Sequence, residues 1–276
     1  MTVFSKCNCC APTQASTGPA LARRTFLAGG IAALGLGTIG APAVRAQTAK
    51  TKIDVHHHFL PPAHREALNQ HKAGAPKWSP QMSLEDMDKS GIGTAVLSQV
   101  QPGTWWGDNE ESRRLSREIN EYGAKIVRDH PGRFGLFATI TPADPDGSLK
   151  EIEYAFDTLK ADGIGLLTSY NGKYLGDPSF GPVWEELNRR KAVVFFHGPV
   201  PDCCGALKVG PGVNPAVGEV TFDMTRAVMS LLANGALARY RDIKWLFAYG
   251  GGATPYIAGR MEAFFKSAKN LHEIAA

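Results

Sequence analysis

His56, His57 and His58 stand side by side in the stretch IDVHHHFLPP, residues 53–62. Imidazole binds divalent transition metals and moves protons near neutrality, so three together raise the question of a metal site. If this run is a strand, its side chains alternate between two faces. His56 and His58 then share one face and His57 takes the other. Two imidazoles two residues apart on one face suit a divalent ion that accepts nitrogen, Zn or Mn by ligand type. His197, which closes the apolar run AVVFFH, is the natural third ligand from a separate strand. The competing readings are a decorated strand end for the first pair and a satisfied buried histidine for His197.

Ligands so far apart in sequence need a scaffold that gathers strand ends. Six β-rich runs occur at KIDVHH, IGTAVLS, RFGLFAT, GIGLLTS, AVVFFH and IKWLFA. Helical patterns such as NEESRRLSREINEYGAKIVRDH, SLKEIEYAFDTLKAD and FGPVWEELNRRK lie between them, with Pro and Gly at the joints. Strands alternating with helices imply repeated βαβ units and a parallel sheet, and near-continuous apolar strands imply cover on both faces. His56, His58, Ser98, Thr168, Ser169 and His197 all fall where strands end. That layout favours a (β/α)8 barrel of TIM type over a doubly wound sheet, which would carry a Gly-rich loop where this chain has His-Phe-Leu-Pro-Pro. Only about six βα units are legible. The expectation is therefore an α/β barrel that is incomplete, truncated at its C-terminal side.

The first 46 residues read differently. Arg23-Arg24 precedes an apolar Gly/Ala-rich run over 26–40 and the small-residue stretch APAVRAQ. This order predicts a Tat-type export signal cut after Ala46, with residues 47–276 forming the barrel and a periplasmic destination. The apolar run is short of the roughly 20 residues that span a bilayer, so no stable membrane anchor is expected. The segment holds Lys6, Arg23, Arg24 and Arg45 and no acid. Taking these four from the 30 basic residues leaves 26 against 26 acidic ones. The formal charge of +4 belongs to the signal, and no nucleic-acid partner follows from it. Of the five cysteines only Cys203 and Cys204 lie beyond it. They are adjacent, ill placed to bridge, and read as loop packing. Asp223 reads as a helix-surface or capping residue.

IDVHHHFLPP resembles the Asp-x-His-x-His-x-x-x-Pro opening of the amidohydrolase-related metal-dependent decarboxylases, which include aminocarboxymuconate-semialdehyde and hydroxybenzoate-type enzymes. The likeness continues through MDKSGIGTAVLS, HPGRFGLFATI, GKYLGDPSFGPVWEELNRRKAVVFFH and GGGATPYIAGR, covering residues 52–262. It implies metal ligation by His56, His58 and His197. Tyr249 stands where the family has a strand-six histidine, and would be a poor general base at neutral pH. Arg260 matches an arginine that in relatives reaches a substrate carboxylate, often across a dimer interface, which leaves a homodimer open. The family's strand-eight aspartate has no counterpart. Trp105 and Trp106, after the second strand, would line or cover an aromatic substrate. The implied activity is decarboxylation of a small aromatic or unsaturated carboxylic acid. The alternatives are metal-dependent hydrolysis in the same superfamily, or a truncated remnant without catalysis.

Overall fold

Six parallel strands form one sheet in the order β1-β2-β3-β4-β7-β8. They are β1 (Lys52–Phe59), β2 (Ile92–Gln99), β3 (Phe134–Thr139), β4 (Gly163–Leu167), β7 (Val193–His197) and β8 (Lys244–Phe247). A two-stranded antiparallel ribbon, β5 (Ser169–Tyr170) with β6 (Lys173–Tyr174), follows β4. This computed structural model describes residues 52–199, 201, 210 and 212–267. The segment read as an export signal, residues 1–46, and Cys203–Cys204 lie outside the described residues.

Helices connect the strands: α1 (Pro62–Gln70) and α2 (Pro80–Ser90) after β1, and α3 (Asn109–Asp129) after β2. α4 (Pro145–Glu153) follows β3, and α5 (Gly181–Arg189) follows the ribbon. α6 (Glu219–Ala233) and the short α7 (Ala236–Arg239) lead to β8, and α8 (Thr254–Ser267) comes after it. Their starts carry chemical signals. Ser79, Asp108 and Asp144 each accept a backbone N–H of the first turn, and Pro80 and Pro145 occupy the first helical position. Among the described residues, no helix is long and apolar enough to cross a membrane.

Alternation along β7 divides the core. Phe195 and His197 point to the inner face, where Phe195 stacks on Phe137 at 5.4 Å and meets His56 edge-on. Phe196 points outward and packs with Trp184 and Trp245 beneath α5. Both phenylalanines are fully buried, each contributing about 1.5–3 kcal/mol of transfer free energy. β3 and β4 are buried along their whole length, as the sequence predicts for central strands. β1 and β8 border the sheet among the described residues, and Ile53 and Val55 on β1 stay exposed at 66% and 39%. The architecture is thus the expected parallel α/β barrel layout with six strands present.

Candidate metal centre

The C-terminal ends of β1 and β7 bring His56, His58 and His197 together. His58 Nε2 lies 3.2 Å from His56 Nε2 and 3.0 Å from His197 Nε2. Metal–nitrogen bonds of about 2.0–2.1 Å at octahedral or tetrahedral angles put neighbouring donors roughly 2.8–3.4 Å apart. Both separations from His58 fall in that range, and the ligand atoms of all three histidines lie within 4.8 Å of one another. Among the described residues no carboxylate or thiol joins them.

The hydrogen-bond network prepares His58. Ser98, its partner in the β1–β2 register, sits 3.1 Å from His58 Nδ1 and reaches the His57 carbonyl at 3.3 Å. With the hydroxyl proton given to that carbonyl, Nδ1–H donates to Ser98 Oγ, and the Nε2 lone pair faces the other histidines. Burial lowers all three pKa values. His58 falls to about 4, helped by neighbouring His56, and His197 to about 3, helped by both other rings. His56 is lowered less freely because Asp54 opposes the effect of burial. At neutral pH His58 and His197 are uncharged, the state that binds a cation.

His57 takes the opposite face, as alternation requires, and its ring is fully engaged. Nδ1 donates to Asp54 Oδ2 at 3.1 Å, and Nε2 accepts from Ser83 Oγ at 2.8 Å. Ser83 in turn accepts from Trp78 Nε1 at 2.9 Å. The order Asp54–His57–Ser83 is that of an activated serine, yet Ser83 is buried and does not line the cavity. It ties β1 to α2.

A cavity of about 820 Å³ opens above the histidines. Its wall comes from segments that follow the strands: Ala73, Gly74 and Pro76 between α1 and α2, and Val100, Gln101 and Pro102 after β2. Pro199, Ala216 and Val220 complete it beyond β7, and Tyr249 closes it after β8. The wall is mostly apolar, and its size suits a small organic ligand. Tyr249 Oη lies 2.6 Å from His197 Nε2, and burial pushes its pKa up to about 12.

Other residues singled out by the sequence lie elsewhere. Trp105 packs against the larger core cluster, and Trp106 stacks on His71 at 4.1 Å. Neither lines the cavity. Arg260 is exposed on α8 with its guanidinium over the Phe264 ring, and it too is absent from the wall. Asp223, expected at a helix surface or cap, is instead 1% exposed. It accepts hydrogen bonds from Thr168 Oγ1 and, at 2.6 Å, from Tyr174 Oη, fastening α6 to the end of β4. Sequence reasoning missed the cavity wall beyond Tyr249, because short loops of Ala, Gly, Pro and Val carry no periodic signal.

The C-terminal ends of parallel strands here gather three imidazoles, a group that could hold a metal ion, under an apolar cavity of a size that suits a small molecule. Residues 53–270 match the family model described as Amidohydrolase, and the chain belongs to that family. It is 41% identical to decarboxylase macB of Penicillium terrestre over 224 residues, which cover 76% of this chain and 66% of that protein. It is 41% identical to decarboxylase yanB of Aspergillus niger over 233 residues, 79% of this chain and 63% of that protein. The 6-methylsalicylic acid decarboxylase of Penicillium expansum is 36% identical over 220 residues, with coverages of 76% and 67%. The chain thus spans about two thirds of the length of these curated relatives. Among solved structures, 5-carboxyvanillate decarboxylase of Novosphingobium aromaticivorans, complexed with manganese and 4-hydroxy-3-methoxy-5-nitrobenzoic acid, shares the fold. Its TM-score is 0.71 at 21% identity, over 78% of this chain and 70% of that one.

Proposed function

We propose that the chain carries the metal-binding part of a decarboxylase that acts on a small aromatic carboxylic acid. The observation that carries this reading is the convergence of three neutral imidazole nitrogens at the floor of an apolar cavity. His56, His58 and His197 would hold the divalent ion. When bound, that ion supplies positive charge that orients a carboxylate and stabilises developing negative charge. Val100, Pro102, Pro199 and Val220 offer apolar surface to an aromatic ring and keep water from its face. Tyr249, with its pKa raised by burial, does not act as a general base at neutral pH. The relatives' names support carboxy-lyase chemistry, and the manganese in the 5-carboxyvanillate enzyme supports Mn over Zn. Arg23-Arg24, the apolar run and APAVRA support export through a Tat-type signal to the periplasm.

The test is carbon dioxide release over a panel of hydroxybenzoates and methylsalicylates. The metal-free protein would be assayed alone, then with manganese or zinc, then with excess chelator. Metal-dependent turnover of at least one aromatic acid is expected. A folded protein that binds metal one-to-one and turns over none of the panel would overturn the reading.

A further inference from the structure

Tyr249 is held in a conformation that tyrosine ordinarily avoids. The chain leaves β8 at Phe247, and Tyr249 then adopts φ 54°, ψ 29°, followed by Gly250 at φ 62°. Left-handed backbone suits the glycine but is unfavourable for a residue with a Cβ. This turn accompanies a ring placed among the candidate ligands, its centroid 5.5 Å from that of His56 and 5.4 Å from that of His197. The phenol oxygen is 2.6 Å from His197 Nε2, closer than His58 Nε2 is. That nitrogen has one lone pair. It accepts the Tyr249 proton or it binds a cation, and cannot do both.

We propose that Tyr249 is the fourth protein ligand of this centre, its oxygen joining the ion held by His56, His58 and His197. The inference rests on the three-histidine reading above. On binding, the phenol O–H bond breaks, the proton leaves through the open cavity to solvent, and an oxygen–metal bond forms. No electron is transferred. The phenolate offsets one of the two charges that three neutral imidazoles leave uncompensated. A hard oxygen donor also biases the set toward harder ions such as manganese or ferric iron.

Ferric ion, supplied as its nitrilotriacetate complex to the metal-free full chain, is the probe, because iron(III)–phenolate pairs absorb visible light by charge transfer. The wild type should show a visible band that saturates at one iron per chain, with resonance-Raman modes of a coordinated tyrosinate ring. Tyr249→Phe should still bind iron and lose the band. His58→Ala should lose iron and band together. One iron bound by the wild type in a His58-dependent way, with no band, would overturn the tyrosine ligand and leave the three-histidine reading standing. A band that persists in Tyr249→Phe would overturn it as well. A wild type that binds neither iron, zinc nor manganese would overturn both.

Discussion

His64 offers a test of how the cavity wall is built. It is 0% exposed on α1, and its Nε2 donates to the Gly103 carbonyl at 3.0 Å, in the loop whose Val100–Pro102 segment lines the cavity. Since Nε2 carries the hydrogen, Nδ1 is a bare lone pair, and it has no partner. Protonation would bury a charge and leave a new N–H without an acceptor. Burial accordingly lowers the His64 pKa to about 4, only partly opposed by the Gly103 hydrogen bond. In the unfolded chain the value returns to about 6.5. Above pH 6.5 neither state is protonated, and the residue adds no pH dependence. As the pH falls from 6.5 to about 4 the unfolded state binds the proton and the folded state does not, so stability falls. The slope is about 1.4 kcal/mol per pH unit, which gives roughly 2 kcal/mol at pH 5.0 and about 3 kcal/mol once both states are protonated.

His64→Gln keeps an amide nitrogen near the position of Nε2 but cannot titrate. Urea unfolding of the metal-free wild type and variant would be followed at pH 7.5 and 5.0. His58 and His197 titrate in both proteins and cancel in the comparison. The wild type should lose about 2 kcal/mol more than the variant over that interval. Equal losses in the two proteins, within about 0.5 kcal/mol, would refute the buried, half-satisfied imidazole argued above.

Two further substitutions probe the supports of the site. Ser98→Ala removes the acceptor that fixes the His58 ring, so manganese affinity should weaken about 10- to 100-fold with stability changed by only about 1 kcal/mol. Competition with a chromophoric chelator measures the first effect, and thermal unfolding of the metal-free protein the second. Asp223→Ala strands the buried Thr168 hydroxyl and removes the carboxylate that the Tyr174 phenol donates to, and should cost about 2 kcal/mol in urea unfolding. Asp223→Asn, which keeps one acceptor oxygen, should cost less.

The six strands were legible because central parallel strands, buried on both faces, leave uninterrupted apolar runs. β4 and β7 match GIGLLTS and AVVFFH to within two residues at each end. The convergence of His56, His58 and His197 was legible for a related reason: alternation in a strand converts sequence parity into facing direction. α1 is absent from the helical patterns quoted above, yet its start follows a simple rule: Pro62 sits at the first helical position, where a missing N–H costs nothing. Asp223 was misread because its partners lie 49 and 55 residues away, and no local pattern records a tertiary contact of that range.

Asp54 shows where parity alone fails. An Asp-x-His-x-His strand should present all three polar residues on one face, which would make the carboxylate a candidate ligand. The β1–β2 register instead shifts between Asp54 and His57, and the carboxylate turns back. One oxygen takes the His57 ring and the other accepts the His56 backbone N–H at 3.0 Å. One side chain thus anchors the outward histidine and the backbone of the inward one. Its charge acts on His56 from behind the cavity, opposing the effect of burial there. A bulge of this kind re-aims a side chain without changing its place in the sequence, so the motif records which residues build the centre but not which of them face it.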